Sequence, residues 1–207
     1  MQRSSAKAAK DKIHDRIRRW GHGAAFTPKD FLDLGSRGTV DMTLKGLLEA
    51  GAIRRLARGL YDYPGFSELL QQASSPDLHS VAEAIARRYR WTILPDGATA
   101  ANHLGLSTQV PARALYLSDG PTKTIAIGRQ RIHFKHARPR EVGITSVRAG
   151  TVIQALRHLG QQHVDESVRE KLRSVLSEKD KRDLLRDARQ SAGWIYDAAR
   201  EIASIEL

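Results

Sequence analysis

The chain has 207 residues, 41% of them hydrophobic and 28% charged, which is enough apolar side chain to bury a core in each of two domains and excludes global disorder. It has no cysteine, so disulfides, thiol nucleophiles and thiolate zinc sites are excluded and a reducing, cytoplasmic setting is expected. The 34 Lys and Arg against 23 Asp and Glu give a net charge of +11, a balance that favours polyanionic partners, and no stretch approaches the roughly 20 apolar residues of a membrane span.

The charge is unevenly placed. Residues 1–66 carry +6, residues 67–160 carry +6 and residues 161–207 carry −1. Two regions are therefore basic, and the tail is close to neutral. In chain order, residues 6–20 place Ile13, Ile17 and Trp20 at helical spacing and stop at Gly21 and Gly23, which predicts a first helix. Thr27, Pro28 and Asp30 then read as an N-cap, a proline at the first helical position and the acidic arm of a capping box, so a short helix is expected over 28–34.

Gly35-Ser36-Arg37-Gly38 makes a turn into a helix over 39–50 that ends at Gly51. Val40, Leu44, Leu47 and Leu48 fall on one face of it, leaving Thr39, Met42, Lys45, Gly46 and Glu49 pointing away from the core. Ile53, Leu56, Leu60, Tyr61 and Tyr63, interrupted by Ala57-Arg58-Gly59, read as a hairpin closed by Pro64-Gly65. Helices followed by such a hairpin make a winged helix-turn-helix, expected over 1–70.

The polar run QQASSP, residues 71–76, reads as the linker. Beyond it, a helix over 78–91, a short strand at 92–94 and an alanine-rich helix over 97–106 precede alternating residues between 113 and 147, which predict three or more antiparallel strands. Helical periodicity returns from Ala149 onward. The expected architecture is α+β, with a mixed domain over 77–160 and a helical tail over 161–207 packed on it.

The chemistry follows from these placements. The leading turn of a recognition helix enters the major groove of double-stranded DNA, and here it offers Ser36, Arg37, Thr39, Thr43 and Lys45, hydroxyl and cationic groups that suit bases and phosphates. Arg54, Arg55 and Arg58 on the wing would meet the phosphate backbone or minor groove. In the second domain, Arg129, Arg131, His133 and Lys135 share one face of a strand, extended by Arg138 and Arg140, as a surface for an acidic partner or for phosphate groups. His103, His133 and His136 do not form a metal set, Asp96 in Pro95-Asp96-Gly97 reads as a turn or cap residue, and no catalytic motif is present. Neither a catalytic residue nor a cofactor is expected.

Two stretches, FTPKDFLDLGSRGTVDMTLKGLLEAGAIRRLARGLYDYP (residues 26–64) and ILPDGATAANHLGLSTQVPARALYLSDG (residues 93–120), resemble the AbiEi-like antitoxins of abortive-infection, type IV toxin-antitoxin systems. The resemblance covers roughly residues 10–160. It implies a non-enzymatic antitoxin whose N-terminal domain binds inverted repeats in its own promoter and represses it; two winged domains paired on a palindrome are the natural expectation for such a fold. Its C-terminal domain would counteract a nucleotidyltransferase toxin. By the same resemblance, the DNA-contacting positions are Arg37, Thr39, Lys45, Arg55 and Arg58. A ligand-responsive winged-helix repressor without a toxin partner is the alternative.

Overall fold

The structure, a computed structural model, describes residues 2–68, 71–109, 113–138 and 146–204, without the side chains of residues 2–7. The fold is α+β, as expected, and divides into two compact units, Met1–Trp91 with Ala126–Gln130, and Thr92–Ile125 with Arg131–Leu207.

The first unit opens with α1 (Gln2–Trp20), β1 (Ala25–Phe26), a 3-10 turn (Pro28–Phe31) and α2 (Arg37–Glu49). The helix expected over 28–34 is thus a single tight turn. Pro28 and the capping box start it, with Asp30 Oδ2 accepting from the Thr27 N–H at 2.7 Å, and Gly35 lies just beyond it. Ser36 caps α2, its hydroxyl accepting from the Thr39 N–H at 3.2 Å, and Gly51 adopts the left-handed conformation that ends it.

Strands β2 (Arg54–Ala57) and β3 (Leu60–Asp62) form the wing and, with β1, a three-stranded antiparallel sheet in the order β1-β3-β2. Ile13 and Ile17 of α1, Phe26, Phe31, Val40, Leu44, Leu47 and Ile53 form the core beneath it. This is the helix, turn, helix and hairpin order of a winged helix, held by the residues whose spacing predicted it.

Residues 71–76 do not separate the units. Gln72–Ala73 (β5) pairs with Phe66–Ser67 (β4), and the next helix, α3 (Leu78–Tyr89), packs back on the first unit. The Ala25 N–H donates to Ser80 Oγ at 2.7 Å, and Arg87 donates to the Ala25 carbonyl at 3.0 Å and to Asp30 at 3.0 Å. Side chains of α3 therefore satisfy the outer edge of β1, which no further strand covers. The division falls after Trp91, and the first unit extends some twenty residues beyond the expected end at 70.

After Trp91 come β6 (Ile93–Pro95) and α4 (Gly97–His103), then β7 (Ala114–Ser118), β8 (Lys123–Ile127) and β9 (Gln130–His136), in the sheet order β6-β7-β9-β8. The expectation of antiparallel strands throughout fails at one pairing, because β7 and β9 run parallel. Burial explains the order. Strand β9 buries Ile132 and Phe134 and takes an interior position, whereas the more exposed β8 takes the edge.

Helix α5 (Val147–Leu159) packs against α4 and β6. The tail forms a short 3-10 turn (Gln161–His163), α6 (Glu166–Val175), α7 (Glu178–Ala188) and α8 (Gly193–Ala203). Ala100, Leu104, Val152, Leu156, Leu172, Leu184, Ile195 and Ile202 share one core across these helices, so the tail belongs to the second unit.

Candidate nucleic-acid interface

The buried side of α2 is set by Val40, Leu44 and Leu47, which fixes what its other side offers to solvent. That side carries Arg37, Gly38, Asp41, Met42, Lys45, Gly46 and Glu49, all exposed, with Met42 at 68%. Gly38, Met42 and Gly46 recur every fourth residue, and a Cβ added at either glycine would meet nothing within 4 Å. The result is a shallow face with one flexible apolar knob, flanked by cations.

Each cation on α2 is tethered loosely. Arg37 Nε donates to both carboxylate oxygens of Asp41, at 3.0 and 2.8 Å, and Lys45 Nζ lies 3.8 Å from Glu49. Both pairs are exposed i,i+4 pairs, which are worth only about 0.3–0.5 kcal/mol and can be exchanged for a phosphate or a base edge. No acidic residue occupies the first turn of α2, so the positive end of its dipole is uncompensated there.

Two of the eight positions expected to contact DNA are committed elsewhere. Thr43 is 6% exposed and its hydroxyl donates to the Thr39 carbonyl at 2.8 Å, because position 43 falls on the core side beside Leu44. Arg54 is paired to Asp62, which is 1% exposed, through Nε at 3.1 Å and Nη2 at 2.6 Å. It holds the two wing strands together. Ser36 and Thr39 stay at the surface, with their hydroxyls 2.9 Å apart in the cap of α2.

The side chains of Arg55 and Arg58 are exposed, and their guanidinium groups have no hydrogen-bond or ion-pair partner among the described residues. A register shift between Arg55 and Ala57 bends β2 near the wing tip, and Gly59 there takes φ +68°, a left-handed turn that a side chain would strain. Arg88 of α3 donates to the Arg58 carbonyl at 3.1 Å, while Lys29 donates to the Arg88 carbonyl at 3.0 Å. Arg88 thus braces the wing from behind. The sequence reading missed it because it placed α3 in the other domain, although the basic run Arg87-Arg88-Tyr89-Arg90 is visible in the sequence.

In the second unit, the row on β9 is only partly assembled. Arg131 and Lys135 are exposed, His133 is half-buried and Ile132 and Phe134 are buried, so the alternation is present. Arg129 lies in the preceding turn and Arg138 beyond the strand end, while Arg140 lies outside the described residues. Asp96 caps α4, accepting from the Thr99 N–H at 3.0 Å. Among the described residues, no group of three or more His, Asp or Glu could hold a metal ion, and no helix is long and apolar enough to cross a membrane.

No curated protein sequence matches the chain. Its fold is similar to the crystal structure of the RV2827C protein from Mycobacterium tuberculosis, with 14% sequence identity and a TM-score of 0.40 over 97% of this chain and 76% of that one. The family model described as "Family of unknown function (DUF6088)" matches residues 12–184, and the chain belongs to that family.

Proposed function

We propose that the protein is a double-stranded DNA-binding regulator that enters the major groove with the exposed face of α2 and grips the adjacent backbone with the wing. One observation carries this reading. The wing presents two exposed guanidinium groups without partners among the described residues, those of Arg55 and Arg58, beside a recognition-type helix whose solvent face bears Arg37, Met42 and Lys45. Guanidinium groups placed this way gain from phosphate charge and counterion release, and Met42 offers an apolar contact of the kind that reads a thymine methyl. Changing Arg37 and Arg58 together to alanine should abolish a mobility shift on the upstream region of the protein's own reading frame. Unchanged binding by that variant would end this assignment of residues.

The resemblance of residues 26–64 and 93–120 to AbiEi-like antitoxins supports a more specific role, in which the DNA-binding unit represses its own operon and the second unit counteracts a nucleotidyltransferase toxin. Co-expression with a nucleotidyltransferase toxin, sought first in the neighbouring reading frame, tests that half. Rescue of growth is expected, and continued toxicity removes the antitoxin role. A second reading, a repressor that responds to a small ligand, is favoured by a cleft of about 430 Å³ in the second unit.

A further inference from the structure

The cleft is lined by Asp96, Arg113, Leu115, Thr122, Thr124, His133, Phe134 and Lys135, all within the second unit. Its frame is built from the sheet. Leu115 of β7 and His133 of β9 are neighbours in the parallel register, and the start of α4 is pinned to β7 by the Asp96 N–H donating to the Leu115 carbonyl at 2.9 Å. The Leu115 N–H in turn donates to Thr99 Oγ1 at 3.2 Å. The backbone around the cleft is therefore held on both sides.

Apart from the Asp96 carboxylate, its polar side chains can all donate. Arg113 and Lys135 are exposed cations with no hydrogen-bond or ion-pair partner among the described residues. Thr124 Oγ1 and His133 Nδ1 lie 3.0 Å apart, so the pair always keeps a donor. If the hydroxyl donates, the imidazole carries its proton on Nε2, and if Nδ1 donates, the hydroxyl proton is free. Thr122 Oγ1 accepts from the His136 N–H at 3.0 Å, which leaves its own proton to give. Among the described residues, Asp96 supplies the only carboxylate in the lining, and it is engaged as the cap of α4.

Two cations without side-chain partners, against one carboxylate turned to the α4 cap, and two hydroxyl-centred donors beside the apolar Leu115 match a dianionic oxygen cluster attached to a small organic body. A volume of about 430 Å³ lies in the range of small-molecule sites. We infer that this cleft binds a phosphate monoester of mononucleotide size, with Arg113 and Lys135 pairing the phosphate and Thr122 and the Thr124–His133 pair donating to its oxygens. The inference does not depend on DNA binding or on an antitoxin role.

Calorimetric titration of the full chain with AMP, inorganic phosphate and adenosine tests it. AMP should bind at least tenfold more tightly than adenosine, with inorganic phosphate competing. Arg113→Ala and Lys135→Ala should each weaken AMP at least tenfold, with Lys135→Arg retaining most of the affinity and far-ultraviolet circular dichroism unchanged in all three. On the unaltered protein, AMP should shift the amide resonances of Thr122, Thr124 and His133. Equal affinity for AMP and adenosine, AMP shifts confined to other residues, or binding by a single-stranded oligonucleotide but not by AMP would each overturn the proposal.

Discussion

Arg54, Arg55 and Arg58 are chemically alike in the sequence, yet they do different work. Arg54 faces its cross-strand partner Asp62 and spends its guanidinium on a nearly buried carboxylate, while Arg55 and Arg58 project outward. Removing Arg54 strands the Asp62 charge, so Arg54→Ala should cost on the order of 3 kcal/mol of stability, read as a lowered denaturant midpoint. Arg55→Ala should leave stability within about 0.5 kcal/mol of the parent and weaken DNA binding instead. A stability loss shared equally by the two variants would contradict the division of labour. This distinction was not legible from spacing, because it depends on the hairpin register, which pairs position 54 with position 62. Thr43 escaped for a similar reason. A threonine next to Leu44 reads as polar and available, whereas the helix turns it towards the core and hands its hydroxyl to the Thr39 carbonyl.

Among the elements, those with strong periodicity or explicit caps were legible. Helix α2, its Gly51 stop and the wing fall where their residues placed them, since leucines at helical spacing leave little freedom, but α2 starts at Arg37, two residues before the expected 39, because Ser36, read as part of a turn, is its cap. Helix α3 was legible as a helix but not as part of the first unit. Its attachment runs through Ser80, Arg87 and Arg88, polar side chains that periodicity assigns to solvent. The brace from Arg88 to the Arg58 carbonyl gives a direct expectation. Arg88→Ala should weaken DNA binding several-fold through a less ordered wing while the melting temperature falls by only a few degrees, and unaltered affinity would show that the wing orders itself. Helix α4 depends on close approach to α5. A Cβ at Gly97 would lie 2.6 Å from His158 Cβ and 3.0 Å from the Gln154 carbonyl oxygen, so Gly97→Ala should cost about 1–3 kcal/mol, measured by chemical denaturation. That contact has no signature in the sequence, where Pro95-Asp96-Gly97 shows only its turn chemistry.

For the molecule as a whole, the order of periodic segments made the α+β class readable and composition the basic character, but a formal charge of +11 does not say which charges are available. Many are internally paired. The hydrogen bond from Arg16 holds the Asp33 carboxyl below the usual carboxylate range, and those from Lys179 and then Arg186 do the same for Asp183. A carboxyl whose folded value is depressed contributes stability that is complete above its ordinary value, near 3.9, and that disappears as pH falls through the lowered value. These two groups therefore leave the melting temperature unchanged from neutrality to about pH 5 and contribute to its fall below about pH 4. Asp183→Asn should flatten that acid limb, and an identical limb in the variant would remove Asp183 as a contributor. Association with DNA, by contrast, should follow the unpaired cations. Removing Arg55 and Arg58 together should reduce the slope of log affinity against log salt by about 2.

The way α3 closes β1 also limits how copies of the chain can assemble. With Ser80 and Arg87 occupying the hydrogen-bonding groups of Ala25, the other edge of the three-stranded sheet is β2, which no strand among the described residues covers. A second chain joining the sheet there would lie along the strand that carries Arg55. If the wing grips DNA as proposed, a chain added there would crowd it, and two protomers sharing one DNA site would be expected to meet through another surface.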